Sequence, residues 1–145
     1  MSIISLLKRV HLFDGLDETE LAALADICTE HLINPNELIL EQNTTGTELY
    51  IIADGSVEVF VKGLKNARSL VVLGKGQVVG EMALIDQGYR SASVQATKSG
   101  ATLYCVQSKN FYQLCQENTR IGYQVMRNLA IDVAFKLRHR NLADI

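Results

Sequence analysis

Glu81 and Arg90 stand nine positions apart in the run Val79-Gly80-Glu81-Met82-Ala83-Leu84-Ile85-Asp86-Gln87-Gly88-Tyr89-Arg90-Ser91-Ala92-Ser93-Val94. They are the two side chains of the sequence best suited to hold a ligand between them. An ionised carboxylate only accepts hydrogen bonds, so Glu81 suits sugar hydroxyls. A guanidinium offers a planar fork of donors, so Arg90 suits phosphate oxygens. Gly80 allows close backbone approach, and N–H groups at the start of a short helical turn suit the same anion. Taken alone, the pair reads more readily as a surface ion pair, which is common and worth little.

The run resembles the phosphate-binding cassette of the cyclic-nucleotide-binding domain family, whose pattern is roughly G-E-L-A-L, a short variable piece, then R-[AST]-A-[ST]-V. Gly80, Glu81, Ala83, Leu84, Arg90, Ala92, Ser93 and Val94 match, with Met82 in place of leucine. Upstream, Phe13-Asp14-Gly15-Leu16 with Glu20-Leu21 is similar to the family's entry helix. The stretch from Leu49 to Val59 is similar to its central hairpin. The resemblance covers roughly residues 10–140. Pro35-Asn36-Glu37 and Gln42-Asn43 depart from the usual P-G-E and Q-G, and no proline precedes Arg90.

The resemblance implies a site made by Val79, Gly80, Glu81, Met82, Ala83, Arg90, Ser91 and Ala92. Its ligand would be a 3′,5′-cyclic nucleotide, cAMP first and cGMP second, since a serine such as Ser91 accompanies either purine. Family positions that line the base fall on Val59 and Val71, with Leu70 as the neighbour if the register slips. Core packing accounts for these valines equally well. The later part of the C-terminal helix serves in the family as a lid and a dimer seam. That implies a base contact from Val133, Lys136 and Leu137, and pairing into a homodimer.

With 145 residues, 48% of them hydrophobic, the chain reads as one domain over 1–145 with an ample core. No apolar run is long enough to span a bilayer, and the N-terminal charges follow the apolar residues, the reverse of a signal peptide. A net charge of −2 gives no push toward nucleic acid or a membrane surface. Cys28, Cys105 and Cys115 are odd in number and lack metal spacing, so they read as reduced thiols of a cytoplasmic protein. His11, His31 and His139 fall outside the predicted strands and form no ligand cluster. No metal, no cofactor and no organised acid–base pair is expected, so the ligand is released unchanged and no enzyme is predicted. The basic cluster from Lys136 to Arg140 reads as a solvated helix end that complements the helix dipole.

The elements that must position these residues follow from local patterns. Asp17, with Glu20 three positions on, is a capping box opening a helix that carries Leu21, Leu24, Ala25 and Cys28. The helical entry is expected over about 1–30. Short β-type runs follow at 38–41, 49–52, 56–61, 69–73, 78–79, 91–96 and 101–106, with Asp54-Gly55 as a two-residue hairpin signal. Such strands predict a closed or rolled antiparallel sheet over about 37–107, jelly-roll-like in character. Helices are predicted at 108–116 and from 119 to about 142, the second carrying Met126, Leu129, Val133 and Leu137 as an apolar stripe. The class is α+β, a β-roll flanked by helices. Within 145 residues no kinase, channel or DNA-binding segment is visible, so a stand-alone sensor acting through an effector protein or self-association is expected. The competing expectation is a protein-interaction module that keeps the fold without needing a ligand.

Overall fold

The computed structural model describes residues 2–86 and 88–144, with side chains as far as 139. Its elements run α1 (Ile3–Leu7), a 3₁₀ turn (His11–Phe13), α2 (Glu18–Ala25), β1 (Cys28–Ile33), β2 (Leu38–Leu40), β3 (Glu48–Lys62), β4 (Ala67–Leu73) and β5 (Val78–Val79). A second 3₁₀ turn (Glu81–Leu84), β6 (Ser93–Gln107), α3 (Ser108–Glu117) and α4 (Thr119–Asp144) complete it. The capping box holds: the Glu20 amide donates to Asp17 Oδ1 at 2.8 Å, and the Asp17 amide donates to Glu20 Oε1 at 2.9 Å. A cap of this type stabilises a helix by about 1 kcal/mol.

The six strands form one antiparallel sheet, ordered β1-β6-β3-β4, with β2 on β6 and β5 on β3. The α+β class and the roll are as expected. The end strands β1 and β4 do not pair with each other, so the sheet is rolled rather than closed. Three local expectations change. Residues 28–33 form a strand paired with β6, not the tail of the entry helix, which ends at Ala25. His31 therefore lies on a strand. Its run, exposed at four successive positions, lacks the alternation that marks a half-buried strand. Asp54-Gly55 is not a hairpin turn, because β3 runs straight through it with register shifts on either side. Likewise the runs at 91–96 and 101–106 merge into β6.

The reason lies in a close approach at two glycines. Gly55 (φ +73°) pairs with Ala101, next to Gly100 (φ +68°), and a Cβ at Gly55 would lie 2.2 Å from the Gly100 carbonyl oxygen. The Asp-Gly signal for φ > 0 is real, but it is spent on a bulge where two long strands bend together.

Alternation along β3 divides the core. Leu49 and Ile51 join a cluster with Leu7, Val10, Phe13, Leu24, Phe111, Ile121, Val125 and Leu129 of the helical layer. Ile52 and Val57 turn into the roll with Leu40, Val79, Val94, Ala96 and Leu103. Burial removes the thiols from ready reaction. It pushes the Cys28 thiol up to about 12 and raises those of Cys105 and Cys115 above the ordinary range. Among the described residues no helix is long and apolar enough to cross a membrane.

Candidate functional site

Gly80 adopts the left-handed conformation (φ +78°) and caps the 3₁₀ turn that starts at Glu81. The turn is fastened from outside, where the Tyr112 hydroxyl of α3 donates to the Leu84 carbonyl at 2.8 Å. After it the chain returns to the roll through Arg90. The Arg90 amide donates to the Thr44 carbonyl at 2.7 Å, and its own carbonyl accepts from the Asn43 amide at 2.9 Å. The backbone is thus pinned on both sides of the arginine.

The Arg90 side chain is 8% exposed, unusual for a cation without a full set of partners. Nη2 donates to the Glu48 carbonyl at 2.9 Å and approaches Glu48 Oε2 at 3.4 Å, while Nη1 lies 3.5 Å from the Gly80 carbonyl. Glu48 therefore engages Nη2, the Gly80 carbonyl takes one Nη1 hydrogen, and the other Nη1 hydrogen and that of Nε are left to do other work. Two glycines make room for the fork. A Cβ at Gly46 would lie 2.2 Å from Nη2, and one at Gly80 would lie 2.8 Å from Nη1 and 2.7 Å from the Glu48 carbonyl oxygen.

Arg90 and Glu81 line one cavity of about 930 Å³. That lies within the ~300–1,000 Å³ typical of small-molecule sites. Every cassette residue expected to bind borders it: Val79, Gly80, Glu81, Met82, Ala83, Arg90, Ser91 and Ala92. Val59 and Val71, cross-strand partners on β3 and β4, form part of its apolar wall. Leu70 does not border it.

The C-terminal helix departs from expectation. Lys136 lines the cavity, whereas Val133 and Leu137 do not. Val133 packs on the helical core, and Leu137 is 58% exposed. Helical geometry accounts for this. Residues four apart share a face, so Asp132 and Lys136 stand together at the cavity, one step round from the buried stripe.

That polar face continues down α4 at four-residue intervals. Arg120 pairs with Glu20 and donates to the Gly15 carbonyl at 3.0 Å. Gln124 donates to Asn128, and buried Asn128 donates to the Leu12 and Asp14 carbonyls, each at 2.9 Å. Asp132 meets His11 Nε2 at 3.3 Å, and Lys136 meets Glu81 Oε1 at 3.4 Å. The helix is zipped to residues 11–20 and, at its far end, to the cassette. In the basic cluster, Lys136 is thus engaged by Glu81, and His139 stacks on Phe135 at a centroid distance of 3.9 Å. The Arg140 side chain lies outside the described residues.

Several lining or supporting residues carry no site signal in the sequence. Leu40 and Leu73 complete the apolar wall beside the cassette's Val94 but read as strand core. Arg9 to Leu12 border the cavity from the N-terminal segment, and Gly46 and Glu48 lie in a run that reads as loop and strand start. Only the spacing of Arg120, Gln124, Asn128, Asp132 and Lys136 could have revealed the polar face of α4. Among the described residues no group of three or more His, Cys, Asp or Glu is placed to hold a metal.

Many known proteins resemble this chain in sequence and in fold. The chain is 36% identical over 93 residues to the cAMP-dependent protein kinase regulatory subunit of Schizosaccharomyces pombe, covering 63% of this chain and 22% of that one. It is 29% identical over 114 residues to the cGMP-dependent protein kinase egl-4 of Caenorhabditis briggsae, covering 77% and 15% respectively. The crystal structure of Thermus thermophilus catabolite activator protein superposes with a TM-score of 0.82 at 31% identity, covering 92% of this chain and 61% of that one. The chain thus spans less than two thirds of the length of each. The profile of the cyclic nucleotide-binding domain matches residues 30–118, more than half of the sequence, and the chain belongs to that family.

Proposed function

We propose that the cavity binds a 3′,5′-cyclic nucleotide, cAMP before cGMP, and releases it unchanged. Arg90 holds the cyclic phosphate and Glu81 the ribose 2′-hydroxyl, with the backbone of residues 79–83 and 90–92 closing around them. Val59 and Val71 contact the base. One observation carries this reading: a buried guanidinium, set between two glycines and held from behind by Glu48, shares its cavity with the Glu81 carboxylate. Such a fork is preorganised for an anion that no neighbouring side chain supplies in full. Relatives named for cAMP and for cGMP support the ligand class and leave both purines in play.

Occupancy would be reported through α4, because Lys136 bonds directly to Glu81, the proposed ribose partner. A ligand shifts such an element only by its differential affinity for two arrangements, and a contact of Lys136 with the bound nucleotide would supply that difference. The output would then reach an effector protein or a second copy of the chain. Ile131, Phe135 and Leu137, exposed on the same helix, support the second route. Equilibrium dialysis against cAMP, cGMP and linear 5′-AMP tests the reading. Saturable 1:1 binding of a cyclic nucleotide, with 5′-AMP much weaker, is expected. Absence of cyclic-nucleotide binding would favour an interaction module instead.

A further inference from the structure

Among the described residues His11 is the one imidazole that borders the cavity. Its two ring nitrogens face two different carboxylates: Nδ1 lies 2.7 Å from Asp14 Oδ2, and Nε2 lies 3.3 Å from Asp132 Oδ1. Asp14 follows the same 3₁₀ turn, whereas Asp132 belongs to α4, one helical turn before Lys136. The ring therefore joins the N-terminal segment to the helix that closes one side of the cavity.

A carboxylate only accepts hydrogen bonds. Neutral imidazole has a single N–H and can serve one of the two carboxylates, whereas imidazolium has two and serves both. Imidazole is also the side chain whose charge ordinarily changes between pH 5 and 8. We propose that His11, set between Asp14 and Asp132, is a positioning residue that holds α4 at the cavity mouth in a proton-dependent way, so that nucleotide binds more tightly at pH 6 than at pH 8. The inference rests on the cyclic-nucleotide reading of the cavity and adds its regulation.

The other charged groups bordering the cavity that His11 borders are Arg9, Lys75, Glu81, Asp86, Arg90 and Lys136. Carboxylates, lysine and arginine ordinarily keep their charge between pH 6 and 8, which leaves the imidazole as the group that changes. Two effects then act in the same direction. At low pH both ring contacts form and α4 is anchored beside Glu81. The added positive charge also lies at a cavity that receives an anion. As pH rises, the neutral ring releases one carboxylate and both effects fade. The His11 side chain is 69% exposed, so water and salt weaken each contact. The expected change is therefore modest, about two- to fivefold in affinity.

Calorimetric titration with cAMP and with cGMP at pH 6 and pH 8, at fixed ionic strength, tests this on the full chain. Wild type should bind about two- to fivefold more tightly at pH 6. His11→Asn should bind equally at both, and His31→Asn should behave like wild type. Equal affinities in wild type, or a pH dependence that survives in His11→Asn, would overturn the inference while leaving nucleotide binding intact. Absence of binding at either pH would overturn the reading of the cavity itself. Hydrogen exchange of the ligand-free protein then decides the anchoring separately. After correction for intrinsic rates, amides 128–136 should be better protected at pH 6 in wild type, and His11→Asn should abolish the difference. An unchanged pattern would show that His11 does not anchor α4.

Discussion

Gly46→Ala should weaken nucleotide binding by one to two orders of magnitude while leaving the fold intact. Gly46 does not occupy the positive-φ region, so alanine is compatible with its backbone. The new Cβ would lie 2.2 Å from Arg90 Nη2, 2.4 Å from Nε and 2.5 Å from Cζ. Restoring an ordinary 3.4 Å contact requires the guanidinium to move by about 1.2 Å. The obstacle is the end of a flexible side chain, so the protein can yield there at little cost. Loss of the Glu48 contacts is offset in part by the roughly 0.4–1 kcal/mol that a compatible Gly→Ala change gains through the unfolded chain. The thermal midpoint should stay within about 4 °C of wild type. The ligand has no such freedom, because its phosphate faces a displaced fork. Losing a charge-assisted hydrogen bond costs about 1.5–3 kcal/mol, so affinity should fall roughly 10- to 150-fold. Differential scanning fluorimetry and calorimetric titration of the same sample separate the two quantities. Gly80→Ala is the contrast. Its φ of +78° and the Glu48 carbonyl oxygen 2.7 Å away should destabilise the fold by about 1–3 kcal/mol in addition. Wild-type affinity in Gly46→Ala would refute the role given to a preset Arg90.

Removing the ligand's 2′-hydroxyl should weaken binding to wild type far more than to Glu81→Ala, because a shared contact cannot be lost twice. Equal losses in both proteins, measured by calorimetry, would separate that hydroxyl from Glu81. Lys136→Ala should change affinity by no more than about fivefold, since its partner contact is largely exposed. Leu137→Ala should leave the affinity of the monomer unchanged, because Leu137 does not border the cavity; a loss equal to that of Gly46→Ala would reverse their order of importance. Stability should fall as pH rises from about 9 to about 12. Burial first and foremost holds the Cys28 thiol and the Tyr50 phenol at about 12 when folded, so the unfolded chain releases these protons earlier. Urea midpoints for Cys28→Ala should decline less steeply over that interval, and an identical decline would exclude Cys28 as a contributor.

Those residues that act through local patterns were legible from the sequence. Asp17 and Glu20 announce a helix start by chemistry that needs no partner elsewhere in the chain, and both cap bonds form. The cassette run stood out through its family resemblance, and its glycine, carboxylate and guanidinium border one cavity. What escaped depends on contacts distant in sequence. Asp54-Gly55 carries the local signal of a turn, yet the approach of Gly100 makes it a bend within a strand. The 28–33 strand exists because β6 offers it an edge, not because its own pattern demands one. Glu48 and Gly46 lie 42 and 44 positions from the arginine they position, and neither residue type signals that role. On α4, sequence reasoning followed the apolar stripe and extended it to Val133 and Leu137. The cavity instead faces the polar positions Asp132 and Lys136, because the apolar face is consumed by the helical core.

The most direct test of the account is calorimetric titration of cAMP and cGMP into wild type and Arg90→Ala. Wild type should bind at one site per chain. Truncating one partner of a buried charge pair costs about 2–5 kcal/mol, so Arg90→Ala should bind roughly 30-fold to several-thousand-fold more weakly. Equal affinity in the two proteins would contradict the placement of the phosphate on Arg90, and no binding by wild type would contradict the cavity's proposed ligand.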